Sequence, residues 1–248
     1  MGVVYIMWLR QLKKYWRSKP RMIGSLAQPL LFLVALGFGF GPIFQAAGGG
    51  SYIDFLAPGI IAMSVLFTAM FAGMEVIWDR QFGFLKETLV APVSRAKIML
   101  GRTLGGATVA SLQGFLVLLI SFLIGFRVIN IFYIPIALVL MFITAMFFTS
   151  LGTAIASKLE DMQAFQLIVN FLIMPIFFLS GALFPLDSLP KALVVITRFN
   201  PLSYGVDGIR GILTGVSHLG LVMDFSVMII ITAIILAVGS YLFSKIEV

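Results

Sequence analysis

Apolar runs of membrane-crossing length recur along the chain, each set off by a polar interval. Six of them fall at 22–41, 54–77, 101–126, 133–156, 163–184 and 222–243. A helix rises 1.5 Å per residue, so about 20 residues cross roughly 30 Å of hydrocarbon. Every backbone polar group in lipid needs an internal partner, and the runs lack the alternation of barrel strands, so they predict six transmembrane helices. Residues 3–20 carry a different pattern. At 100° per residue, Tyr5, Trp8, Leu9, Leu12, Tyr15 and Trp16 share one face, while Arg10, Lys13, Lys14 and Arg17 share the other. That pattern suits an amphipathic helix lying in the headgroup layer, where anionic lipid attracts its basic side.

Two intervals are more than connectors. Residues 185–221 form a long semi-apolar connection in which Pro185, Pro190 and Pro201 forbid one continuous helix. Two short helices, 190–199 and 202–214, fit better, the second opened by Asn200-Pro201. Their aliphatic residues mixed with Arg198, Asp207 and Arg210 read as re-entrant helices of the outer leaflet. The other interval, 78–102, holds seven of the chain's 27 charged residues. As a helix over 79–90, it places Phe82, Leu85 and Leu89 on one side and Arg80, Phe84 and Glu87 on the other. A lone Phe beside Gly83 on the polar side suits a partner's pocket, and equally suits a solvated elbow. Pro92 ends the helix.

Composition agrees with the pattern. Sixty per cent hydrophobic residues, 11% charged and a mean hydropathy of +1.10 describe an all-α integral membrane protein, a single domain over 1–248. The formal charge of +7 is unevenly placed, and in a membrane chain it calls for a bilayer explanation, not nucleic acid. With a cytoplasmic N-terminus, 13 of the 17 Lys and Arg fall on inner segments and 4 on outer ones, and six spans return the C-terminus to the cytoplasm. The first run, preceded by some 20 residues and itself of span length, reads as a retained span and not a cleaved signal.

Candidate chemistry is sparse. The chain has one histidine, His218, and no cysteine, and it lacks the residues for a hydrolytic triad or a metal site. No G-x-x-x-x-G-K-[ST] occurs, so energy for any work comes from a partner or an ion gradient. Glu75, near the inner end of the second run, reads as half of a structural ion pair. Met70 and Met74, one turn apart, read as packing filler or as a pliable lining for apolar cargo. Pro175 predicts a kink in the fifth run, with Gln166 and Asn170 bonding across helices. The "GRTLG" of 101–105 offers a small-xxx-small face to a neighbouring helix.

Three stretches, "FLAPG" (55–59), "WDRQFGFLKETLVAPVSRAKIMLGR" (78–102) and "FNPLSYGVDGIRGIL" (199–213), resemble the permease subunits of ABC-2 type transporters, above all the daunorubicin-resistance-type drug exporters. The likeness rests on Asp79-Arg80, Gly83, Leu85, Leu89, Pro92, Arg95 and Gly101-Arg102 in that order; Gln81 stands where the family often has Glu. The resemblance implies a coupling helix that enters a cleft on a separate ABC ATPase subunit, with Arg80, Phe84, Lys86 and Glu87 as contacts and Phe82, Leu85 and Leu89 packing behind. It further implies two permease copies, a homodimer with a heterodimer as the open alternative, in a prokaryotic plasma or inner membrane. ATP and magnesium sit on the partner, and this chain carries no cofactor. An amphiphilic, drug-like or lipid-like cargo gives Met70, Met74, Asn170, Phe171 and Phe178 as the candidate path and Phe199 and Tyr204 as the outer gate. The alternatives are an ATP-independent secondary transporter and a membrane-assembly subunit.

Overall fold

The computed structural model describes residues 2–46, 50–90, 93–185 and 190–246, without the side chains of Arg21, Lys86, Leu89, Val90, Lys191 and Ala192. The stop at Pro92 and the roles expected of Lys86 and Leu89 therefore lie outside the described residues. Among the described residues there is no strand. The helices are α1 (Val3–Arg17), α2 (Lys19–Ala46), α3 (Tyr52–Ala72), α4 (Met74–Gln81), α5 (Phe84–Val90), α6 (Arg95–Ile124), α7 (Ile134–Lys158), α8 (Met162–Phe178), α9 (Lys191–Phe199), α10 (Pro201–Thr214) and α11 (Leu221–Ser244).

Five stretches are long and apolar enough to cross a membrane: Met22–Ala46, Tyr52–Gln81, Arg95–Ile124, Ile131–Lys158 and Leu221–Ser244. The fifth predicted run differs. Its helix, α8, stops at Phe178 after 17 residues, about 26 Å at the helical rise. Ser180 turns its hydroxyl onto the Phe177 carbonyl and Gly181 adopts φ 74°, so the remaining residues run as irregular chain. Hydropathy alone does not separate a helix from apolar chain packed on a neighbour, and Tyr52 Oη holds this segment by donating to the Leu183 carbonyl at 3.2 Å.

The bundle has two distinct ends. At the basic end Arg95 donates to the carbonyls of Ser244 (2.6 Å) and Ile246 (2.8 Å). At the opposite end the Arg127 amide donates to Asp54 at 2.9 Å, the Ile129 amide to the Leu213 carbonyl at 3.0 Å, and Arg210 to the Gly181 carbonyl at 2.9 Å. The chain enters α8 from Glu160, whose carbonyl is bonded by Gln81 at the basic end, and leaves it toward Leu183 at the other. The core sits around α3: 67% of its most apolar stretch is buried, against 17% for α2 and for α11, which makes those two peripheral.

The prolines place α9 and α10 within a residue of where they form. Asn200 ties the start of α10 to α8, accepting from the Leu202 amide at 3.0 Å and donating to the Ile176 carbonyl at 2.6 Å. Tyr204 is buried, its hydroxyl on the Arg198 carbonyl at 2.7 Å, whereas Phe199 is 84% exposed. Met70 is fully buried in the core and lines no surface; Phe171 and Phe178 are exposed on α8, with Asn170 half-buried beside them.

Candidate coupling site at the basic end

The amphipathic helix α1 does more than rest on lipid. It docks along α6, burying Met7, Gln11 and Tyr15 and leaving Tyr5 and Trp16 exposed. The face that buries is rotated from the aromatic stripe because α6 offers a groove at its glycines. A Cβ at Gly101 would lie 2.8 Å from Met7 Cβ, and one at Gly105 would lie 2.6 Å from Gln11 Cβ. The small-xxx-small face of "GRTLG" is thus filled from within the chain. Trp8 Nε1 donates to Thr108 Oγ1 at 3.0 Å, and Tyr15 Oη bonds Gln113, which fixes the helix in register.

Docking brings the basic face of α1 over α4. Arg10 makes a bidentate pair with Asp79, at 2.8 and 3.0 Å, and Arg102 of α6 bonds the same carboxylate. Asp79 is 5% exposed and Arg102 3%, so two guanidinium groups share one buried acid. Arg102 keeps Nε and Nη1 without partners among the described residues, which leaves Asp79 as the acceptor that balances both cations. Lys14 pairs with Glu75 at 3.4 Å, one turn earlier on α4. Glu75 is therefore in an ion pair, as its position suggested, with a cation 61 residues earlier in the sequence.

Arg80 points elsewhere. It donates to the carbonyls of Ser157 and Leu159, each at 3.2 Å, where α7 ends and its backbone acceptors lack helical partners. Gln81 Nε2 adds a bond to the Glu160 carbonyl at 3.1 Å. Neighbouring Asp79 and Arg80 thus lock α4 to α1 and α6 on one side and to α7 on the other.

The predicted continuous helix over 79–90 is broken. Phe82 caps α4, Gly83 takes φ 78°, and α5 starts afresh at Phe84. Only glycine holds that left-handed geometry at low cost, and the break resets which residues share a face. Phe82, expected to pack inward, is 76% exposed and touches Trp78 edge-on. Phe84, expected to project, is half-buried beneath Arg10, whose guanidinium lies 3.8 Å from the ring centroid. Leu85 is fully buried, in keeping with its predicted packing side, and Glu87 is exposed. Arg10 therefore touches α4 through Asp79 and α5 through Phe84, spanning the Gly83 hinge. Sequence reading flagged Asp79 and Arg80 but missed Arg10 and Arg102 as the partners of Asp79. A basic residue at the head of an apolar run, as Arg102 is, was the available signal.

The sequence has relatives. Residues 2–214 match the family described as ABC-2 type transporter. Nodulation protein J of Rhizobium leguminosarum bv. trifolii is 34% identical over 197 residues, covering 78% of this chain and 74% of that protein. Nodulation protein J of Rhizobium meliloti (strain 1021) is 32% identical over 205 residues, covering 81% and 77%. The putative transport permease ycf38 of Pyropia yezoensis is 33% identical over 216 residues, covering 84% and 72%. With multiple membrane-length helices, a braced elbow at the basic end and this match over most of its length, the chain belongs to the ABC-2 type transporter family.

Proposed function

We propose that this chain is the permease subunit of an exporter driven by a separate ABC ATPase, which binds ATP and magnesium and docks on the α4–Gly83–α5 elbow. The observation that carries this reading is the elbow itself: an exposed tip braced on three helices through Asp79, Arg80 and Arg10. A braced tip transmits a push into the bundle, where a floppy loop would absorb it. Phe82 and Glu87 supply the outward contacts, and Phe84 and Arg80 hold the elbow from behind. Positive charge concentrated at this end supports a cytoplasmic side for it and for both termini, in a prokaryotic cell, and α8 with its irregular tail counts as the sixth crossing.

Two copies form the pathway between them, lined by the Asn170, Phe171 and Phe178 side of α8, and move an amphiphilic drug-like or lipid-like substrate. Phe199 and Tyr204, on α9 and α10, flank the exit. Only interactions that differ between inward and outward states drive such a cycle. The test is reconstitution with the ATPase subunit. Phe82→Ala and Glu87→Ala lower ATPase affinity and transport while leaving the melting temperature of the permease unchanged; undiminished docking by both variants rejects the elbow as the contact.

A further inference from the structure

A cavity of about 220 Å³ lies inside the single chain, between α1, α2, α3 and α6, apart from the α8 face assigned to the pathway. Its wall is unusual for a membrane interior. Gln11, Ser25, Gln28, Ser64 and Thr68 line it, all uncharged hydrogen-bonding groups. Ser64 is 3% exposed and its hydroxyl has no partner among the described residues. Pro29 has no N–H, so the Ser25 carbonyl lacks its helical donor at the same wall. A buried polar group without a partner costs free energy that a ligand recovers by bonding it. Met63, Phe67 and Phe71 complete the lining with apolar surface.

Charge at the site is balanced. Glu75 is the one acid on the wall, and Lys14 pairs with it at 3.4 Å. An anionic head would face that carboxylate, and a cationic one would have to displace Lys14. Gln28 both lines the cavity and is exposed, in the first third of the peripheral helix α2, so the opening faces sideways at inner-leaflet depth. The volume is below the roughly 300–1,000 Å³ that encloses a whole drug-sized molecule. It takes one headgroup and leaves a tail in the bilayer.

We infer that this cavity binds the uncharged, polyol-type head of an inner-leaflet amphiphile, entering past Gln28. The inference deepens the transport reading by naming where such a molecule first engages the chain, and its binding step requires neither ATPase nor nucleotide. A monoacylglycerol bearing a diazirine in its chain is added to the purified full-length protein in phosphatidylcholine nanodiscs, and crosslinks are mapped by mass spectrometry. Labels fall on α2 and α3 around Gln28 and Phe67, and unlabelled monoacylglycerol removes them where lysophosphatidic acid does not. Gln28→Leu and Ser64→Leu each reduce labelling about tenfold, the loss expected for one hydrogen bond to a buried group. Gln28 is exposed, so its variant keeps the fold even if Ser64→Leu does not. Equal labelling of the exposed faces of α8 and α11, or equal competition by lysophosphatidic acid, overturns the site. With the ATPase and ATP present, discharge of the label identifies cargo and retention identifies a resident lipid; the cavity stands in both cases, and retention counts against the transport reading alone.

Discussion

Asp79 concentrates the electrostatics of the basic end in one carboxylate. Arg10 and Arg102 are 69 and 23 residues away in sequence, and each bonds it. Asp79→Asn leaves two guanidinium groups facing each other without a compensating charge, and breaking such a buried pair costs about 3–5 kcal/mol. Thermal unfolding of the purified variant should show that loss, and a melting temperature equal to that of the parent would refute the clamp. Phe84 and Phe82 separate in the opposite way from the sequence expectation. Phe84→Ala removes the ring under Arg10 and costs about 1–2 kcal/mol. Phe82→Ala, at an exposed position, stays within about 0.5 kcal/mol. Helical phase placed these two side chains on the opposite faces because it assumed an unbroken helix. Gly83 was visible in the sequence, but its left-handed φ was not.

The elements of the basic end act as a clamp and a hinge. α1 is held in the α6 groove by contacts that leave no room for a side chain at Gly101 or Gly105. Gly105→Leu therefore lifts α1 from α6 and, with it, Arg10 from Asp79; limited proteolysis cutting early within α1 is the expected sign, and an unchanged digestion pattern argues against the docked helix. At Gly83 a Cβ would meet no atom within 4 Å, so Gly83→Ala incurs only the backbone penalty of about 1–2 kcal/mol. That penalty favours joining α4 to α5. ATPase docking should survive and transport should fall if the Gly83 break serves as a hinge between the two helices. Equal transport by the variant would mean that the break is incidental. Amphipathicity announced α1 as a helix but pointed its aromatic stripe at lipid; the choice of buried face depended on a groove in α6 that periodicity in α1 does not encode.

At the scale of the whole molecule, the polar ends are fastened by different means. Ion pairs and carbonyl-bound arginines close the basic end, while Arg210 and Asp207 organise the opposite one, Asp207 accepting from Ser217 Oγ at 2.9 Å and from the Leu219 amide at 2.8 Å. The chain has no cysteine, so single cysteines report orientation without background. Glu87→Cys should react with a membrane-impermeant maleimide only from the cytoplasmic side and Arg127→Cys only from outside; the reverse pattern would invert the topology. What the sequence determined by itself was the helical membrane class, the positions of the apolar runs, the bias of positive charge and the boundaries of α9 and α10. Those follow from hydropathy, charge and proline, which are properties of short segments and add along the chain. Only the tertiary structure decided that α1 lies in the α6 groove, that Asp79 gathers Arg10 and Arg102, that the elbow bends at Gly83, and that α8 ends at Phe178. The first two depend on groups distant in sequence meeting at a contact distance of a few ångströms, and the last two on the left-handed φ that Gly83 and Gly181 adopt; hydrophobic periodicity carries neither.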